Sequence, residues 1–133
     1  MADKSSESIS VEKTAVALKA VRYFMAQWEC SELEQQQLLD LEPSSFRRLL
    51  SGDHPEMTAE TLLRISYLMG IGRALHILYP TEERAAQRIR LATTHEPFAG
   101  RSPLGLMLTG SLEGLALTRK YFDGRAQERV LES

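Results

Sequence analysis

The residues able to do acid–base or covalent chemistry are few and scattered. His54, His76 and His95 lie in three different segments, and helical spacing places no acid beside any of them. No nucleophile, base and orienting group can be assembled from such a set. Cys30 is the only cysteine, so an internal disulfide and a cysteine zinc site are both excluded. It reads as a thiol packed at a helix junction in a reducing compartment. His76 sits in an apolar stretch without a second ligand at metal spacing, which makes it a hydrogen-bonded packing residue. No glycine-rich phosphate loop follows a strand, because no strand pattern is present. These residue types point to binding rather than catalysis, with no catalytic residue, no metal and no cofactor.

Two groups of residues have the chemistry of binding. In the first, Phe46, Leu49 and Leu50 recur at i, i+3 and i+4, which leaves Ser44, Ser45, Arg47, Arg48 and Ser51 on the outward side of one helix. Arginine there can fork onto guanine in a major groove, and serine can reach phosphates or base edges. Gln35 and Gln36, on the preceding helix, are candidate uncharged phosphate contacts. The competing reading is a solvated helix face, on which paired arginines are common. In the second group, Leu104, Met107, Leu108 and Phe122 form an apolar set near the carboxyl end that is rimmed by arginines, the composition of a protein interface. The competing reading packs that stripe onto Ile65, Leu75 and Leu78.

The elements that must position these groups are all helical. Residues 1–10 are small, polar and charged and are expected to be a disordered leader. A broad apolar face then runs from Val11 to about Trp28, with Trp28 as a core anchor. Ser31 and Glu34 make a capping box, and the short helix behind it breaks at Asp40-Leu41-Glu42-Pro43. A second short helix, opening at Ser44 or Ser45, ends at Gly52, which gives the order of a helix-turn-helix. After a loop at 53–56, Thr58 caps a helix that Gly70 should end, and Gly72 should restart the chain toward Tyr79-Pro80. Thr81 caps the next helix, with Glu82 and Glu83 in its first turn. Ser102 with Pro103, then Ser111, open two closing helices that Gly110 and Gly124 should terminate.

The fold class expected is therefore all-α. A leader at 1–10, a helix-turn-helix domain with linking helices at 11–80 and a C-terminal helical domain at 81–133 make up the chain. The formal net charge of -2 offers no global attraction to nucleic acid. It is locally sorted, however: four basic against eight acidic residues in 1–43, eight against six in 44–101, and four against four in 102–133. A dimer would double the basic surface offered to a duplex. The start has no apolar signal region and no later run approaches a membrane span, so a cytoplasmic protein is expected.

Phe98, the run Gly100-Arg101-Ser102-Pro103-Leu104, the Met107-Leu108 pair, Gly110 and Arg119-Lys120-Tyr121-Phe122 resemble the toxin-binding domain of the MbcA/ParS/Xre antitoxin family. The phrases Arg64 to Ile71 and Ala74 to Pro80 are similar to that family's linking helices. The resemblance implies an Xre-like helix-turn-helix lobe, a homodimer, binding to operator DNA, and neutralisation of a RES-type toxin that degrades NAD. It assigns the toxin-facing role to Phe98, Gly100, Arg101, Ser102, Pro103, Leu104, Met107, Leu108, Arg119, Tyr121 and Phe122. The tail after Gly124, with Arg125 and Arg129, becomes the candidate plug for the toxin's substrate cleft. The alternatives are a stand-alone repressor that uses its C-terminal helices only to dimerise, and a helical adaptor that no longer reads DNA.

Overall fold

The computed structural model describes residues 2–52 and 57–132, with side chains from residue 13 onward. Among them the chain is all-α: α1 (Ala2–Gln27), α2 (Glu32–Leu39), α3 (Pro43–Leu50), α4 (Ala59–Leu78), α5 (Glu82–Arg90), α6 (Pro103–Met107) and α7 (Leu112–Glu132). The expected loop at 53–56, with His54, lies outside the described residues.

Helix starts follow local chemistry closely. Ser31 Oγ accepts from the Glu34 amide at 3.1 Å while the Glu34 carboxylate accepts from the Ser31 amide at 2.9 Å, a complete capping box. Thr58, Thr81, Ser102 and Ser111 each accept from the amide three residues on, at 3.1, 3.1, 2.9 and 2.9 Å. Pro43 and Pro103 occupy the first helical turn, where a missing N–H leaves nothing unsatisfied.

Helix ends follow the tertiary packing instead, and several differ from expectation. No glycine or proline interrupts residues 2–27, and α1 runs through the stretch expected to be a disordered leader. Helix α4 is continuous through Gly70 and Gly72, and α7 is continuous through Gly124. A glycine inside a helix costs roughly 1 kcal/mol relative to alanine, which close packing can offset. At Gly72 an added Cβ would lie 2.4 Å from the Phe24 ring of α1, and at Gly70 it would lie 2.4 Å from Arg119 Nε of α7. Both glycines therefore serve as contact points on α4 where two neighbouring helices come close. Two of the predicted stops behave as such: Gly52 closes α3 at φ 86° and Gly110 turns between α6 and α7 at φ 84°.

Helix α4 is the centre of the molecule, packed chiefly against α7 and α1. Among the described residues, Leu18, Trp28, Phe46, Leu68, Leu75, Phe98, Phe122 and Ala126 all belong to one buried apolar cluster. The helix-turn-helix segment and the C-terminal pair thus share one core. Tyr23 on α1 donates to the Glu82 carboxylate on α5, closing the far side.

Two arginines brace the corners. Arg90 of α5 donates to the carbonyls of Trp28 (2.8 Å) and Glu29 (2.9 Å), where the chain turns at a Glu29 φ of 59°, and pairs with Glu34 at 3.4 Å. Arg64 of α4, only 3% exposed, donates to the Gly110 carbonyl at 2.8 Å and lies 3.5 Å from Glu60 and 3.9 Å from Asp40. It ties the α2–α3 turn to the α6–α7 turn through one buried cation.

The Ser31 backbone bond, followed by the Arg90 charge, holds the Glu34 carboxyl below the usual carboxylate range, although partial burial works against it. A group with a depressed folded value stabilises the protein above its unfolded value near pH 4 and loses that contribution as pH falls through the folded value. Glu34→Gln is accordingly expected to cost on the order of 0.5–1 kcal/mol at pH 7. In thermal melts the gap from the parent chain should narrow below about pH 4.

Candidate functional site

The residues predicted to face DNA fall into two sets. Phe46 and Leu49 are buried, so α3 turns Ser44, Arg47 and Arg48 to solvent and leaves Ser45 half-buried. Ser51 is exposed, with its hydroxyl donating to the Arg48 carbonyl at 2.9 Å. The glutamines behave differently. Gln35 Nε2 donates to the Cys30 carbonyl at 3.1 Å, which makes this residue a brace for the α1–α2 corner rather than a phosphate contact. Gln36 is half-buried, and its carbonyl accepts from the Leu41 amide at 3.0 Å in the α2–α3 turn. Of the residues expected to contact DNA, those on the outer face of α3 are exposed, and Asp40 and Glu42, also exposed, precede that helix.

Cys30 is 8% exposed. Burial, reinforced by the Glu34 carboxylate and opposed by Arg90, pushes its thiol up to about 11, so it is neutral and unreactive near pH 7. His76 is exposed and shares a 3.3 Å hydrogen bond with Gln27 Oε1. Among the described residues no group of His, Cys, Asp and Glu has the arrangement to hold a metal ion.

The C-terminal set requires a correction. Phe98, Leu104, Met107 and Phe122 are 1, 2, 0 and 1% exposed, and Pro103 is also buried. The apolar patch expected to await a partner is sealed inside a single copy of the chain, because α6 and α7 fold their apolar stripes onto each other and α7 lays its own on α4. Phe98 reaches this core from a loop in which Thr93 and Arg101 pair and Gly100, at φ 93°, donates to the Thr93 carbonyl at 2.8 Å. Its ring meets Tyr121 edge-on with centroids 5.0 Å apart. Ser102 is a helix cap, and Leu108 is half-buried against the core. Arg119 is engaged by Ser66, at 3.2 Å to its carbonyl and 3.3 Å to its hydroxyl, and by Asp123 at 3.2 Å.

Of the toxin-facing residues expected, Gly100, Arg101, Arg125 and Arg129 are exposed, and Tyr121 is half-buried. Two of them take part in something the sequence does not announce. Arg125 and Arg129 of α7, one turn apart, line a cavity of about 210 Å³ together with Arg88 of α5, His95 of the following loop, and Tyr79, Tyr121, Phe122 and Leu78. Its lining is cationic and aromatic, with no carboxylate. The i, i+4 spacing of Arg125 and Arg129 was a readable signal, but Arg88 and His95 join them only because α5 and its loop pack beside α7.

No helix among the described residues is long and apolar enough to cross a membrane. No family model matches the chain. It is 31% identical over 123 residues to the "Uncharacterized protein y4oB" of Sinorhizobium fredii (strain NBRC 101917 / NGR234), an alignment that spans 91% of this chain and 92% of that protein. With that identity sustained along nearly the whole of both chains, this protein belongs to the same family as y4oB.

Proposed function

We propose that this protein is a cytoplasmic, dimeric antitoxin of a type II toxin–antitoxin pair, which binds its operator through α3 and neutralises a RES-type NAD-degrading toxin through its C-terminal third. The observation that carries the DNA half is the sidedness of α3. Its apolar residues are spent on the core, and its serine and two arginines project from the second helix of a helix-turn-helix pair. The toxin half rests on the resemblance of the Phe98–Phe122 region to the MbcA/ParS/Xre antitoxins. Since Phe98, Leu104, Met107 and Phe122 are interior, contact falls to exposed residues of the C-terminal third, Gly100 and Arg101 on the loop and Arg125 and Arg129 on α7.

Co-expression tests this directly. A RES-type toxin encoded beside this gene should deplete cellular NAD and arrest growth when expressed alone, and both effects should vanish when this chain is supplied. Persistent lethality beside soluble chain would reject the antitoxin reading. A stand-alone repressor is the second reading, and the sealing of the apolar patch favours it, because that patch was the strongest ground for a protein partner. The two readings part on a variant without Arg47 and Arg48: an antitoxin still neutralises, whereas a repressor has nothing left to do.

A further inference from the structure

The cavity between α5 and α7 gathers Arg88, Arg125 and Arg129 with no carboxylate in its lining. Arg64 and Arg90 are each met by carboxylates and carbonyls, and Arg119 by Ser66 and Asp123. Arg88 lines the cavity, and its buried Nη1 has no hydrogen-bond partner, as is also true of Nε and Nη1 of Arg64. The Arg88 guanidinium is held 5.6 Å above the Phe122 ring, which fixes its direction. No ion pair joins Arg125 or Arg129 to a carboxylate among the described residues, although Glu128 and Glu132 share their helix. Three like charges brought to one cavity repel one another, and an unsatisfied buried N–H adds to the cost. An anion in the cavity relieves the repulsion among the three guanidinium groups.

We propose that this cavity binds a phosphate-class dianion, either inorganic phosphate or the phosphate of a small monoester. Three guanidinium groups, with the Tyr79 and Tyr121 hydroxyls nearby, supply more donors than the two oxygens of a carboxylate can use. A tetrahedral dianion has the oxygens and the charge to engage all three arginines. The cavity, at about 210 Å³, is smaller than the roughly 300–1,000 Å³ typical of drug-sized ligand sites, which suits a phosphate with little attached rather than a dinucleotide. The proposal concerns the isolated chain and needs neither toxin nor DNA, so it stands or falls apart from the antitoxin reading.

The test is calorimetric titration of the full-length protein in a phosphate-free buffer, with inorganic phosphate in one arm, adenosine monophosphate in a second, and sodium chloride at matched ionic strength in a third. Saturable one-to-one binding is expected in at least one phosphate arm and none with chloride. Tighter binding of the nucleotide would identify a monoester as the ligand, and equal or tighter binding of phosphate would identify the free anion. Arg125→Ala and Arg129→Ala, on the exposed side of α7, should each weaken that binding about tenfold or more while leaving the circular-dichroism spectrum unchanged. Heats that match the chloride arm would overturn the proposal, as would binding that both variants retain at parental affinity.

Discussion

Phe122→Ala is expected to lower the stability of the entire chain by about 3–5 kcal/mol, and to do so in a single cooperative transition. The ring is 1% exposed and lies within 6.3 Å of Phe98, 5.1 Å of Tyr121 and 5.6 Å of the Arg88 guanidinium, measured to ring centroids. Truncation removes those neighbours' packing and leaves a cavity at the meeting of α5, α7 and the Phe98 loop, where aromatic and helical walls leave little room for collapse. The core is one cluster from Leu18 to Ala126, so the loss should be felt by α1 and α4 as much as by α7. For a chain of this size the midpoint should fall by roughly 10–20 °C. Melts followed by helix signal and by the fluorescence of Trp28, a core residue of the α1 end of the chain, should coincide. A variant that melted like the parent but failed to bind a partner would put Phe122 back on the surface and restore the apolar-patch interface.

The double variant Arg47→Ala, Arg48→Ala is expected to behave in the opposite manner. Both side chains are exposed on α3, so stability should change by no more than about 0.5 kcal/mol per site. Affinity for the operator should nevertheless fall about 100-fold or more, since a forked arginine–guanine contact discriminates by roughly 1–3 kcal/mol and a phosphate contact contributes through released counterions. Fluorescence anisotropy across a salt series separates the two roles. If the arginines read bases, preference for the operator over unrelated DNA collapses while the salt slope barely moves. If they hold phosphates, binding weakens on all sequences and the slope shallows by about one for each phosphate that is no longer neutralised. Unchanged affinity at every salt concentration would remove α3 from any DNA interface.

How much of this molecule could be read in advance depended on the range of the interaction concerned. The Ser31–Glu34 box, the Ser102–Pro103 start and the Ser111 cap were legible because a cap is a contract between residues three apart. The burial of Trp28, Phe46 and Leu49 was legible from periodicity. Gly70, Gly72 and Gly124 misled for the same reason that they matter: a glycine after an apolar run has the look of a stop, and only the approach of Phe24 and Arg119 to α4 shows why two of them sit inside a helix. The bonds of Arg64 to Gly110 and of Arg90 to Trp28 left no trace in the sequence, because those partners lie 46 and 62 residues away.

The chain's own order of residues determined that it is all-α, where most of its helices begin and which face of α3 is polar, since each of these follows from spacing within a turn or two. Tertiary structure decided the rest. Whether Phe98, Leu104, Met107 and Phe122 awaited another protein or filled this one depended on where α4, α6 and α7 met, and they met over those side chains. Whether Arg125 and Arg129 were ordinary surface charges depended on α5 bringing Arg88 beside them. An apolar stripe states that something must cover it, and a cation that something must neutralise it; the identity of that something is settled only when distant segments come together.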